Sequence, residues 1–416
     1  MKILIAGAGI IGVTSAWFLA RNGHDVTVLD RQPDVAMETS FANGGQVSMS
    51  GSEPWANPSA PLQILKWLGR EDAPLLIRLR ADRRLWSWAL RFAAECSPWR
   101  TRRNTLQILR LAMYSREVLT ETRAQAGIEY DARDSGILHF FTDKAAFDSA
   151  RSFAAIMTEH GLERRVLDVP AIIALEPAMS SCRDQLIGGI HTPDDGSGDA
   201  RKFALGLRDR ATEEGVRFLH GMTAQSLVTD DDRIAMLQVH DEHGNRERLQ
   251  ADGFVIALGS YSPLLLRTAG IKVPIYPVKG YSATVDTTGY TAAPVISLTD
   301  ETRKLVFSRL GNKMRIAGTA ELTGYDTSIN PVRCEALVDR ARELWPAAGN
   351  YAAAEYWAGL RPATPGNVPL IGKTRYSNLY LNTGHGTLGW TLSCGSARAL
   401  TDIVNGQPPV PDFSFI

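Results

Sequence analysis

The opening stretch, "MKILIAGAGIIGVTSAWFLARNGHDVTVLDR" (residues 1–31), admits two incompatible readings. One is an export signal: a lysine, an apolar run, then "AWFLA", which is similar to a cleavage site. The other is a buried strand, a glycine turn and a helix that together hold a nucleotide. Gly7, Gly9, Gly12, Thr14 and Ser15 interrupt the apolar run, and a signal h-region of about 7–15 residues would tolerate some of this. The residues after the apolar run decide between them. In "NGHDVTVLD" Gly23 stops a helix, and residues 26–29 form a short apolar strand ending at Asp30.

The pattern is therefore strand (2–6), GAGIIG turn, helix (10–21), strand (25–29), acid. Gly7 makes the tight turn, Gly9 lets backbone approach a pyrophosphate, and Gly12 allows helix to pack closely on strand. The helix N-terminus presents free N–H groups and a positive dipole end to phosphates. Asp30 is placed to accept hydrogen bonds from a ribose. This is a dinucleotide-binding unit, and the expectation is a chain that works in the cytoplasm.

The whole chain agrees. At 416 residues it exceeds one hydrophobic core, so two domains are expected. Its formal net charge of zero gives no support for nucleic-acid binding. Cys96, Cys182, Cys334 and Cys394 show no CxxC spacing, which fits neither a zinc site nor a disulfide framework. Beyond residue 20 no apolar run approaches the ~20 residues of a membrane-spanning helix.

The fingerprint alone does not separate NAD from FAD. "METSFANGGQVS" (37–48) offers a cap at Thr39 or Ser40 and backbone access at Asn43, Gly44 and Gly45, or else is a polar loop. "LNTGHGTLGWTLSCGSARALTDIV" (381–404) runs from a strand through Gly384-His385-Gly386 into a helical pattern opening at Thr387. Such a helix N-terminus would stabilise the negative charge of a reduced flavin, or is an ordinary glycine-rich turn. Between them, "ADGFVIALGSYS" (251–262) ends a strand at Ala257 and returns chain through Gly259. NAD enzymes rarely close the extreme C-terminus on their nicotinamide, so the set favours FAD.

"SFANGGQVS", "APLLIRL", "VKGYSATV", "AGLRPATP" and "NLYLNTGHGTLGWTLSCGSA" closely resemble the FAD-dependent D-amino acid dehydrogenases, of the D-amino acid oxidase, glycine oxidase and sarcosine oxidase group. The similarity runs from residue 1 to about 406. It implies a Rossmann-like FAD-binding domain (1–60, 192–272, 358–416) interleaved with an α+β substrate domain on an antiparallel sheet (61–191, 273–357). The candidate cofactor contacts are Gly7, Gly9, Ile10, Ile11, Gly12, Asp30 and Arg31, then Thr39, Ser40, Asn43, Gly44, Gly45, Gln46 and Val47. Further along they are Ala224, Ala257, Gly259, Arg361, Gly384, Gly386, Thr387, Leu388 and Gly389. No histidine lies near 39–46 and no cysteine suits attachment except Cys394, so the FAD is expected to be non-covalent.

Oxidising an amino acid at Cα requires an anchored carboxylate, a neutral amine and a Cα–H facing the flavin. The resemblance places the carboxylate anchor at Arg361, and a guanidinium matches a carboxylate bidentately. Tyr276 and Tyr281 are candidates for lining the substrate site, or are packing residues of a strand. Lys279 is expected at an exposed strand edge, and His385 to face flavin or substrate. The resemblance also marks departures: apolar 305–307 and Ser50–Ser52 stand where relatives carry tyrosines. A small or cyclic substrate such as D-proline or a D-hydroxyproline is therefore a second reading.

Residues 61–116 combine Trp67, Trp86, Trp88 and Trp99 with Lys66 and eleven arginines against four acids. Such a segment can lie on the cytoplasmic face of an anionic inner membrane and suit transfer to a quinone, or form a solvated helical face over a tryptophan core. The expected products are a 2-oxo acid and ammonia, or a cyclic imine. The competing readings are a glycine- or sarcosine-type oxidase using oxygen, and a non-catalytic nucleotide-binding subunit.

Overall fold

The computed structural model describes every residue except 68, 70, 72, 79 and 80. Arg70 and Arg80 of the basic segment, and Leu79 of the "APLLIRL" motif, thus lie outside the described residues.

The first sheet grows from the opening stretch. Lys2–Ala6 is flanked in parallel by Asp25–Leu29 on one side and Gly253–Ile256 on the other. Leu379–Thr383 joins parallel to Gly253–Ile256, Arg217–Leu219 joins parallel to Asp25–Leu29, and Leu370–Lys373 closes the edge antiparallel. Ile3, Ile5, Val26 and Val28 are buried, as strands covered on both faces require. The helix Ile10–Arg21 packs on the helices Ala200–Glu213 and Gly389–Val404. The 29-residue helix Pro98–Ala126 joins the same layer, and Ser115 Oγ accepts the Gly395 N–H. It therefore packs with the nucleotide-binding sheet although it lies inside the stretch expected for the substrate domain.

The second sheet is mainly antiparallel and has nine strands among the described residues. Its order runs Glu355–Ala363, Tyr276–Asp286, Lys313–Leu322, Leu305–Leu310, Ser297–Asp300, Ile137–Phe141, Gly188–Thr192, Arg165–Leu167. Leu75–Ile77 pairs parallel with the far end of Lys313–Leu322. One face buries Tyr281, Ala283, Val285 and Phe307 against the helix Pro331–Leu344; the other faces the first sheet's loops. Since Glu355–Ala363 belongs wholly to this sheet, a domain boundary at 358 would cut a strand. A short antiparallel sheet (Thr223–Asp230, Arg233–His240, Arg246–Leu249) hangs from the first.

Boundaries differ little from the sequence reading. The last helix starts at Gly389, two residues after Thr387, because Gly384 and Gly386 hold positive φ (80° and 55°) and prolong the turn. The strand Arg217–Leu219 is separated from Thr223–Asp230, which carries Ala224, by a turn where Gly221 has φ 70°.

Candidate active site

A cavity of about 1460 Å³ lies between the two sheets. It is larger than the ≈ 300–1,000 Å³ of ordinary small-molecule sites, so it has room for a dinucleotide and a substrate together.

At its nucleotide end the helix Ile10–Arg21 begins at Gly9, which has no side chain to cap it, and of its first-turn N–H groups that of Ile10 is met by Ser40. A Cβ on Gly9 would meet nothing nearer than Ser40 Oγ at 3.7 Å, so the space over the turn is open. By contrast a Cβ on Gly12 would lie 1.8 Å from Gly7 O, which is why that glycine packs and does not line the cavity. Asp30 accepts the Ala8 and Gln32 N–H groups at 2.7 and 2.9 Å, leaving lone pairs for a ribose. Burial raises its pKa. The Arg31 guanidinium sits 4.0 Å over the Tyr261 ring and bonds Glu38. Ser40 Oγ accepts the Ile10 N–H at 3.1 Å. Together the open turn, the helix start and the acid beside it fit FAD's adenosine and pyrophosphate.

The other expected contacts gather along the same cavity. Thr39, Asn43, Gly44, Gly45, Gln46, Ala224, Ala257, Gly259, Gly384, Gly386, Thr387, Leu388 and Gly389 all line it. Val47 does not, because it is buried in the first core. The helix Gly389–Val404 also starts without a side-chain cap, so its dipole end opens on the cavity beside these glycines.

Arg361 occupies the wall beyond. It lines the cavity, half-buried, and it donates to Thr319 O at 2.8 Å and Gly318 O at 3.3 Å. No carboxylate pairs with it among the described residues, and burial with the neighbouring Arg333 charge lowers its pKa to about 10. The backbone beneath explains its position. Opposite Gly280 the strand Lys313–Leu322 carries two residues, Thr319 and Ala320, since Tyr281 pairs with Gly318 and Lys279 with Glu321. This β-bulge turns the Thr319 carbonyl to the guanidinium. Thr319 holds φ 55°, and its buried hydroxyl has no partner among the described residues. Sequence reasoning missed Thr319: only the unpaired bulge, visible in the register, marks it.

The tyrosine expectations need correction. Tyr281 touches the cavity wall, but its ring lies in the second sheet's core and its hydroxyl donates to Glu321 Oε2 at 2.5 Å. Tyr276 is not a cavity residue; its hydroxyl donates to Asp82 and its ring leans on Trp88. Lys279 is buried rather than exposed, bonding Asp326 and Ser328 O, because its strand is flanked on both sides, by Glu355–Ala363 and Lys313–Leu322, and is no edge. His385 lines the cavity, with Nε2 3.0 Å from Ser396 Oγ. Burial drives its pKa down to about 3, so it is neutral.

A polar cluster closes the opposite end of the cavity and was not foreseen. Ser50 Oγ bonds His139 Nε2 at 2.9 Å and Asp195 Oδ2 at 2.5 Å, and His139 Nδ1 lies 2.7 Å from Glu301. Despite the burial that opposes it, Lys304 and His139 hold the Glu301 carboxyl below the usual range. Of the four cysteines only Cys96 lines the cavity; Cys394 is buried behind it.

Comparison with known proteins agrees with this geometry. The profile of the FAD dependent oxidoreductase family matches residues 2–403. A D-amino acid dehydrogenase of Dechloromonas aromatica (strain RCB) is 53% identical over 416 residues, all of both chains. One from Paramagnetospirillum magneticum (strain ATCC 700264 / AMB-1) is 51% identical over 98% of this chain and 96% of its own. The crystal structure of glycine oxidase from Bacillus cereus ATCC 14579 superposes with a TM-score of 0.72 at 21% identity, over 97% of this chain and 95% of that one. The chain belongs to the FAD dependent oxidoreductase family.

Proposed function

We propose that this FAD dependent oxidoreductase is a D-amino acid dehydrogenase: it oxidises D-amino acids at Cα, and the imino product hydrolyses to a 2-oxo acid and ammonia. The observation that carries the reading is the Arg361 guanidinium, half-buried on the wall of the cofactor cavity with no acid partner among the described residues. Burying an unpaired charge is expensive, and an anionic ligand relieves it. Full-length identity to curated D-amino acid dehydrogenases supports the substrate class.

FAD, held non-covalently by the helix start, Asp30 and the 39–46 loop, supplies the hydride acceptor when bound. The chain's own residues do the rest. Arg361 takes the substrate carboxylate bidentately, and the carbonyls of Gly318 and Thr319 keep its fork from turning. The two sheets enclose the site and exclude water, which strengthens that pairing. His385, kept neutral, adds no charge to the site. The amine enters as the free base, so a protein base is not required.

Electrons pass on to a quinone, and the segment 61–116 rests on the cytoplasmic face of the inner membrane. Supporting this, Leu62, Leu65, Trp86, Leu90 and Trp99 are exposed among exposed Arg83, Arg84, Arg91, Arg102 and Arg103. Trp88 alone of the four tryptophans is fully buried. No helix among the described residues is long and apolar enough to cross a membrane.

The test is the visible spectrum under argon during titration with D-alanine, D-proline and their L-forms. Bleaching by a D-form alone bears the reading out. A flavin bleached only by L-forms or N-methylglycine discards the substrate class, and fast peroxide formation in air discards the dehydrogenase reading. Flotation with anionic vesicles tests the membrane contact: protein left at the bottom of the gradient rejects it.

A further inference from the structure

We propose that the apolar arm of the cavity beside Arg361 receives the substrate's side chain, and that the preferred substrates are D-amino acids with large apolar side chains. This rests on Arg361 as the carboxylate anchor. The arm starts where the anchor ends. Gly318, whose carbonyl holds the guanidinium, pairs with Leu305, but Ala320 and Leu322 pair with Leu75 and Ile77. At Thr319 the strand thus passes from one neighbour to another, and the wall beyond is made of side chains from 75–77 and the helix Arg83–Glu95.

The same arm is reached from the anchor's own strand. Ala363 lies two residues beyond Arg361 on the same strand face, about 7 Å away. Its carbonyl accepts the Trp88 indole N–H at 2.8 Å, and Trp88 stacks on Phe92 with ring centroids 5.2 Å apart. Ile77, Ala89 and Leu322 complete the lining. Apart from Arg361, the charged side chains lining the cavity lie elsewhere among the described residues. Asp30, Arg31 and Glu38 serve the nucleotide end; Glu53, Arg164, Glu301 and Lys304 belong to the polar end.

A carboxylate held on Arg361 leaves Cα one C–C bond from it, and the arm opens within a side chain's reach. An apolar group entering the arm leaves water and gains. A charged one loses its hydration with no partner in return. The Ser50–Ser52 segment, which suggested a small or cyclic substrate, has Ser50 bonded to Asp195 and His139 at the polar end. It therefore sets no limit on the side chain at Arg361.

The experiment compares D-alanine, D-leucine, D-phenylalanine, D-glutamate and D-lysine as reductants of the holoenzyme. It is paired with calorimetric titration of two unreactive carboxylates, acetate and 3-phenylpropionate. D-Leucine or D-phenylalanine is expected to exceed D-alanine in kcat/KM by at least about tenfold, the effect of small changes in an apolar pocket. 3-Phenylpropionate should bind more tightly than acetate by a similar factor. Ala89→Phe, or the milder Ala89→Val, should depress D-phenylalanine and 3-phenylpropionate while sparing D-alanine and acetate. Equal binding of the two carboxylates, a preference for D-glutamate or D-lysine, or variants that depress all substrates alike would overturn the proposal. So would variants that leave the substrate order intact and raise KM only for an apolar quinone, since the arm would then belong to the acceptor. The two failures stay distinguishable: if no D-form, D-alanine included, reduces the flavin, the D-amino acid reading itself falls and this proposal with it. If D-alanine reduces it but the order is wrong, only the arm's assignment falls.

Discussion

Gly280 offers the sharpest test of how Arg361 is held. Its replacement by alanine would set a Cβ 2.1 Å from Arg361 Nη1 and 2.2 Å from Cζ and Nη2, where ordinary contact begins at 3.4 Å. The guanidinium must therefore retreat by about 1.3 Å. In doing so it gives up the Thr319 and Gly318 carbonyls, bonds of about 1 kcal/mol each, and with them its alignment for a carboxylate. A misplacement of ~1 Å can cost ~10²-fold in rate. Gly280 is not among the positive-φ residues, so alanine suits its backbone and the fold should survive. Steady-state kinetics with D-alanine should show kcat/KM down by about 100-fold. Acetate binding should weaken in parallel, with FAD content and melting temperature near wild type. A Gly280→Ala protein with kcat/KM within about threefold of wild type and full flavin content would refute the account, because a displaced anchor cannot be so nearly harmless.

Three other perturbations probe the rest of the site. Asp30→Asn removes the ribose acceptor's charge while keeping one oxygen for the Ala8 or Gln32 N–H; FAD affinity by flavin fluorescence should fall about tenfold or more, and unchanged affinity would reject Asp30's role. His385, with its pKa lowered from 6.5 to about 3, refuses a proton that the unfolded chain accepts. Its contribution therefore falls as pH drops from about 6.5 toward 3, by roughly 1.4 kcal/mol per unit within that window. The melting temperature of His385→Asn should decline less steeply with acidification than wild type, and parallel curves would count against the burial argument. Thr319→Gly should relieve a left-handed, β-branched residue whose strain is about 1–3 kcal/mol, raising the melting temperature while lowering kcat/KM. A less stable protein with unaltered kinetics would show that neither the strain nor the hydroxyl serves the site.

What the sequence made legible was local. The first strand, glycine turn, helix and second strand end where residues 1–31 said they would, because glycine, apolar period and acid all act within a few residues of one another. Arg361 was legible through a motif, and it lines the cavity. Its setting was not legible, because a β-bulge is a relation between strands: Gly280 and Thr319 are 39 residues apart and neither is unusual alone. Tyr281 and Tyr276 misled for the same reason. Alternation sets Tyr276 and Tyr281 on opposite faces of their strand, but what covers each face, Trp88 on one and the helix Pro331–Leu344 on the other, lies far off in the sequence. The Ser50–His139–Glu301 cluster draws on three distant segments and left no signal in any of them.

The two ends of the cavity solve the problem of buried charge in opposite ways. At the polar end the cation Lys304 is met by Glu301, which also bonds His139, and Asp195 accepts from Ser50 and the Met49 N–H. Such a cluster is complete without a ligand and fixes how strand and loop meet. At the other end Arg361 is given only two neutral carbonyls, and Glu321, on the same sheet, is already taken up by Arg78, Lys279 and Tyr281. Those neighbours answer Glu321's charge and leave that of Arg361 unanswered. A fold that can pair Glu321 so fully and yet leaves an arginine unpaired two strands away has kept the anion-binding capacity open for a ligand. The strained Thr319 beneath it points the same way, since strain persists where surrounding structure over-determines a functional position. Lys304 already has its carboxylate in Glu301 and Arg361 has none, and that difference directs a carboxylate to Arg361 rather than to Lys304.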